Sequence, residues 1–337
     1  MIKTVLKKVI KAILPYGAVY FWRKYLKRKI DTKIIFKNYY DSNKYSHGQK
    51  PISNTSKKII YMADGRVGVG GLADRLRGIV SLFKIAHGLG VEFKINFTSP
   101  AELTNFLIPN MYDWRISPND IIYDTRESII YTFLDDRLGT NIEPKLQDLL
   151  KKYNQIHITT NLFTGDYEYG NLFNFLFTPT PELNTLVEYN LSQLEYDFIS
   201  VSFRFLALLG DFNETATFSQ PLPENEQKAL KNKCIERLKE IRMENMDCKK
   251  ILVTSDSITF LNEVKQFDFV HIIPGKIEHT DNKLNSSKEA LMKTFTDYFC
   301  LVNAKKNYLV VEGAMYTSGF AYRASLHRSS FIVKRCK

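Results

Sequence analysis

The chain has 337 residues, 44% of them apolar, enough for one large core or two domains of ordinary size. Its four cysteines, Cys234, Cys248, Cys300 and Cys336, form no CxxC pair and have no histidines at metal-ligand spacing, so neither a disulfide framework nor a zinc site is expected, and a reducing cytosol fits best. The net charge of +11 does not point to nucleic acid, because nine lysines and arginines and no acid precede residue 31, which leaves about +2 for everything after them.

That basic segment, "MIKTVLKKVIKAILPYGAVYFWRKYLKRKI", mixes lysines with Ile, Leu and Val at helical spacing. Its longest uncharged run, Ala12 to Trp22, contains Pro15 and Gly17 and falls well short of the roughly 20 residues that a spanning helix needs. Lys7, Lys8 and Lys11 interrupt any signal-peptide core. The expected role of residues 1–32 is a pair of amphipathic helices on an anionic membrane face, with Tyr20, Phe21 and Trp22 at headgroup depth; the alternative is a helix packed on its own domain with solvated lysines.

After a polar stretch, "KIIYMA" reads as a strand. The glycine-rich "VGVGG" follows, and a helix from Leu72 carries apolar residues at Leu72, Leu76, Ile79, Phe83 and Ala86. With "VEFKINF" as the next strand, this is a βαβ unit with glycines at its first turn, where α/β folds bring ligands close to backbone. Strands are expected at "DIIYD" and "QIHITTN", with the helix "EPKLQDLLKKY" between them. "LFTGDYEYGNLFNFLF" reads as an aromatic-rich loop, and "TPTPELNTLVEYNL" as a boundary followed by a helix start. Thereafter strands at "FISVSFRF", "KKILVTSDS", "FVHIIPG", "KNYLVVEG" and "SFIVK" alternate with four helices, the last being "TSGFAYRASLH". Such alternation predicts largely parallel sheets with right-handed crossovers, hence an α/β fold of two Rossmann-like halves: a basic segment 1–33, a first domain 34–190 and a second domain 191–337.

Gly68, Gly70 and Ala73 satisfy G-x-G-x-x-A, but the next strand ends "KINFTSP" with no acid to hold a ribose, which argues against an NAD(P)-dependent enzyme. Gly70 and Gly71 therefore read as close-packing residues beside a ligand, with Arg75 and Arg77 either offering it positive charge or lying on a solvated helix face. Arg204 ends an apolar strand and needs an anionic partner, which is a diphosphate or a structural carboxylate. Asp211 and Glu214, on the loop that follows, are candidate general bases. Ser255 and Asp256 end another strand, either as N-caps of the helix "ITFLNEV" or as ligand contacts. Thr317, Ser318 and Gly319 open the helix that carries Phe320 and Arg323.

In this order the motifs resemble the fucosyltransferase-type glycosyltransferases of the GT-B fold, a group that includes α1,2-, α1,6- and protein O-fucosyltransferases. The resemblance covers roughly residues 58–333. "GGLADRLRGI" is similar to the group's glycine-rich first turn and helix, which faces the cleft between two domains. "VSFRF" is similar to its H-x-R motif, with Ser202 where the family often has His; the resemblance implies that Arg204 binds the donor diphosphate. "VTSDS" resembles a strand end near the nucleoside, and "YTSGFAYRAS" an S-S-x-F element, implying that Thr317 and Ser318 contact phosphate and Phe320 lines the donor pocket.

The reading that follows is an inverting glycosyltransferase moving a sugar, expected to be fucose, from a GDP-sugar to a glycan or lipid-linked acceptor at the cytosolic membrane face. No D-x-D triplet occurs in the chain, which suits a mechanism with no cofactor and no metal. The competing expectation is a nucleotide-sugar-binding protein without catalysis.

Overall fold

The computed structural model describes residues 56–134, 141–212, 220–277 and 287–335. The basic segment 1–33 and Glu214 lie outside them.

In chain order the first part consists of β1 (Lys58–Ala63), α1 (Leu72–Gly88), β2 (Glu92–Phe97), β3 (Leu107–Pro109), β4 (Ser128–Phe133), α2 (Glu143–Leu150), β5 (Gln155–Thr160), α3 (Tyr169–Leu176), β6 (Phe177–Pro179) and α4 (Pro181–Gln193). Next come β7 (Phe198–Phe203), α5 (Glu224–Glu244), β8 (Lys250–Ser255), α6 (Ile258–Val264), β9 (Val270–His271), α7 (Lys288–Asn303), β10 (Lys306–Val311), α8 (Gly319–Ser325) and β11 (Ser330–Arg335). One sheet runs β2-β1-β5-β4 and the other β11-β10-β7-β8-β9, with every pairing in both parallel, while β3 and β6 form a small antiparallel pair. The α/β, parallel-sheet expectation is met.

Burial follows position in the sheets. The interior strands β5 and β7 are buried at every residue, because both faces of an interior strand are covered, and β5 therefore buries Gln155, His157, Thr159 and Thr160 along with its two isoleucines. Edge strand β2 alternates, with Phe93, Ile95 and Phe97 inward. Helix α5 buries Leu230, Cys234, Leu238 and Ile241, a single stripe at three-and-four spacing, and turns most of its charged residues outward. By contrast, α7 is buried around most of its circumference. Leu291, Phe295 and Tyr298 of α7, with Ala321 and Ala324 of α8, belong to the same continuous core as Tyr61, Phe83 and Trp114 around the first sheet. Val201, Phe203, Leu238 and Phe260 build a separate core on the second sheet. Among the described residues no helix is long and apolar enough to cross a membrane.

Three expectations need correction. The strand predicted at "DIIYD" lies instead at Ser128–Phe133, because the Gln155 side chain accepts from Ile122 N (2.8 Å) and donates to Asp120 O (2.7 Å), holding that segment off the sheet. The supposed aromatic loop contains helix α3, which buries Tyr169, Phe173 and Leu176 on one face. "FVHIIPG" contributes only the two residues of β9.

Candidate functional site

The strand order locates where a ligand can approach. β7 is the first strand of the second sheet in sequence; β8 and β9 extend to one side of it, and β10 then returns to its other side. The carboxyl ends of β7 and β10 thus flank a topological switch point, where doubly wound sheets bind ligands. Arg204 leaves β7 there, and the turn after β10 leads to α8.

Arg204 is held by a carboxylate. Its Nη1 lies 3.1 Å from Asp256 Oδ2, its guanidinium stands 4.8 Å from the Phe212 ring centroid, and its side chain keeps one-fifth exposure (20%). Asp256, on the segment after β8, is buried, and its two oxygens accept from Phe205 N and Leu206 N, each at 2.8 Å. The second of these fixes Leu206 at φ 55°, a left-handed conformation that a leucine keeps only when its surroundings impose it. Burial pushes the Asp256 carboxyl above the ordinary range, while Arg204 and the two amides oppose that shift. One acid therefore sets both the backbone after β7 and the direction of Arg204.

Asp211 follows Gly210, whose φ of +76° makes the tight turn the sequence suggested. The turn directs Asp211 into the amino end of α6: Oδ2 accepts from Ser257 Oγ and Thr259 N, both at 2.8 Å. Ser257, rather than Ser255 or Asp256, is the N-cap, accepting from Phe260 N at 3.1 Å; Ser255 Oγ accepts from Ser257 N. Asp211 Oδ1 is buried and has no hydrogen-bond partner among the described residues. Asp211, Asp256, Ile258, Gly275, Lys276 and Ile277 line a cavity of about 210 Å³.

Across the switch point, Tyr316 N donates to Arg204 O at 3.1 Å, tying the turn after β10 to the end of β7. Thr317 is exposed, and Ser318 caps α8 by accepting from Phe320 N at 3.2 Å. Phe320 is half-buried, with its ring 5.7 Å from that of Tyr298. The structure thus pairs Arg204 at the end of β7 with Asp256 at the end of β8, beside the turn after β10 that carries Thr317 and Ser318, with Asp211 and Ser255 at the neighbouring helix start.

The residues of the first glycine turn serve its architecture. Gly70 has φ +95°, and a Cβ there would stand 2.5 Å from an Asp74 carboxylate oxygen; the Gly71 carbonyl starts α1 by accepting from Asp74 N and Arg75 N. Arg75 is buried, with Nε donating to Gly70 O (3.1 Å) and Nη1 to Ser99 O (2.8 Å). Arg77, which also turns inward, pairs with Asp74 at 3.1 Å, so neither arginine lies on a solvated face. Gly78 passed unnoticed in the sequence, although a Cβ there would sit 2.1 Å from Thr160 O: it lets α1 lie directly against the end of β5. Its only local signal is a glycine inside a helix. The reach of Asp256 back to residues 205 and 206 has no local signal at all. Among the described residues, no group of three or more His, Cys, Asp or Glu is placed to hold a metal ion.

No family model and no curated protein matches the chain. Solved structures do. A mutant of Arabidopsis thaliana FUT1 in complex with GDP aligns with TM-score 0.53 and 13% identity, covering 90% of this chain and 75% of that one. NodZ α-1,6-fucosyltransferase co-crystallized with GDP aligns with TM-score 0.52 and 12% identity over 80% of this chain and 92% of that one. For the fucosyltransferase NodZ from Bradyrhizobium the values are 0.51, 14%, 80% and 93%. The chain has a fucosyltransferase-like fold of the GT-B kind.

Proposed function

We propose that the protein is a glycosyltransferase that moves fucose from GDP-fucose to a glycan or lipid-linked acceptor, with inversion and without a metal. The observation that carries this reading is Arg204 at the β7–β10 switch point, aimed by a buried carboxylate and left partly open to solvent. In the reaction, the acceptor hydroxyl attacks the sugar C1, the bond from C1 to the diphosphate oxygen breaks, and its electron pair leaves with GDP. A guanidinium at that oxygen stabilises the charge as it develops, with two-pronged hydrogen bonds that a point charge cannot reproduce. Thr317 and Ser318 add hydroxyls to the phosphate site, Phe320 forms a wall of the donor pocket, and the strand end of Ser255 and Asp256, the latter lining the cavity, takes the nucleoside. In this reading Gly70 and Gly71 shape the first-sheet side of the donor site through their backbone, which the Arg75 side chain braces.

The acceptor proton passes to Asp211 or Glu214. The capping bonds of Asp211 hold one of its oxygens, so its use as base requires Oδ1. This engagement also favours a second reading, a nucleotide-sugar-binding protein with no base. Residues 1–32 are proposed to keep the protein at the cytosolic face of an anionic membrane.

Thermal unfolding in the presence of GDP, UDP, CMP or NAD tests the donor reading. GDP alone is expected to raise the midpoint, by about 2.7 kcal/mol of stabilisation at a hundredfold excess over Kd. A shift with NAD and none with GDP would overturn it. Release of fucose from GDP-fucose to acceptor then separates enzyme from binding protein.

A further inference from the structure

A carboxylate on the segment between β5 and α3 grips α8 at two adjacent residues. Asp166 Oδ1 accepts from Arg323 Nη1 at 2.6 Å, and Oδ2 accepts from the hydroxyl of the adjacent Tyr322. Arg323 is buried, its guanidinium 4.1 Å from the Phe163 centroid and 5.1 Å from that of Tyr322. Beside this contact the backbones meet: a Cβ on Gly170 would lie 2.6 Å from Leu326 O and 2.7 Å from His327 Cα. The buried Tyr169 and Tyr298 and the half-buried His327 continue the seam as a hydrogen-bonded row, at 3.0 and 3.1 Å. The carboxyl half of α8 is thus fixed to the first-sheet side, while its amino end lies beside the turn bonded to Arg204 O.

We infer that Asp166 is a positioning residue for the donor site: by gripping Tyr322 and Arg323 it sets where α8 presents Thr317 and Ser318 relative to Arg204. A seven-residue helix has too few internal hydrogen bonds to hold itself, so its placement comes from its tertiary contacts. Asp166 is one-third exposed (34%), so its amide variant can be accommodated without rebuilding the core. The functional half of the inference rests on the donor reading above; the structural half does not.

The experiment therefore has two arms, both on the full chain with Asp166→Asn and, separately, Tyr322→Phe. Hydrogen exchange without nucleotide is expected to quicken about tenfold or more across residues 317–325 in Asp166→Asn, and less in Tyr322→Phe, with β7 and β10 unchanged. Unchanged exchange in that segment, or a uniform increase over the whole chain, overturns the inference. In the second arm GDP affinity is expected to fall about tenfold in Asp166→Asn with the Arg204 contact intact. Full GDP affinity alongside quickened exchange overturns the link to the donor site. If the wild-type protein binds no GDP, the donor reading fails, and the exchange arm still decides the positioning role.

Discussion

β1 and β7 occupy the same topological position: each is the first strand of its sheet and lies inside it, with later strands on both sides. Each is followed by an arginine that the sequence marked as a ligand contact, yet the two are held differently. Arg75 is buried against two backbone carbonyls, Gly70 O and Ser99 O, and so joins the glycine turn to the loop after β2. Arg204 is held by the Asp256 side chain and keeps part of its surface in solvent. Carbonyls belong to the scaffold, and a guanidinium spent on them acts as a brace. A carboxylate supplied from a neighbouring strand neutralises the charge and directs it while leaving a polar face for an anion. The two strands stand alike in their sheets, yet the arginine on the helix after β1 serves architecture and the one at the end of β7 is open to chemistry.

The sharpest test of this contrast is Arg204→Lys. Turnover is expected to fall about 10²–10³-fold, since lysine keeps the charge and loses the fork, while the urea midpoint stays near wild type. Near-normal turnover in a transfer assay would make Arg204 a second brace and abolish the distinction.

Acid should unfold the protein through its buried neutral histidines. Burial holds His327 down to about 4 and His157 to about 3, against about 6.5 in an unfolded chain. Because the folded values are lowered, the neutral forms stabilise the fold fully above pH 6.5. That contribution is lost as pH falls from 6.5 through 4 toward 3, by about 3 kcal/mol at His327 alone. Urea unfolding at pH 7, 5.5 and 4 measures the slope, and His327→Gln should flatten it. An equal slope in that variant would assign the acid sensitivity elsewhere.

Arg75→Met is the counterpart of the first test. Two carbonyls lose their donors, so stability should drop by about 2–4 kcal/mol while GDP affinity per folded molecule is preserved. Loss of GDP binding without loss of stability would move Arg75 to the chemical side of the comparison. The smallest effect is expected at Asp211→Ala, about 1 kcal/mol from the weakened α6 terminus, read by chemical denaturation. A hundredfold fall in turnover beside unaltered stability would instead identify Asp211 as the base.

Much of the fold was legible because burial on a regular element leaves a periodic trace. The stripe of α1 and the buried runs of β1, β5 and β7 can be read from the chain alone, and so can the Pro181 start of α4, where Thr180 accepts from Leu183 N. Arg204 was legible for a related reason: a cation at the end of an apolar strand must be paired. Which anion pairs it was not legible, since Asp256 lies 52 positions away and is brought near only by the pairing of β7 with β8.

The same limit explains the misplaced strand. "DIIYD" and "SIIYTF" carry nearly the same apolar pattern, and local propensity cannot choose between them; the Gln155 side chain, reaching in from β5, decides by occupying the backbone of the first. The sequence by itself determined most of the elements, the parallel α/β class and the strand-end positions where chemistry is possible, because these depend on neighbours a few residues apart. Strand order, the close approach at Gly78, the turn of Asp211 into α6 and the grip of Asp166 on α8 were decided only by the tertiary structure, because each depends on atoms that meet after distant segments have packed.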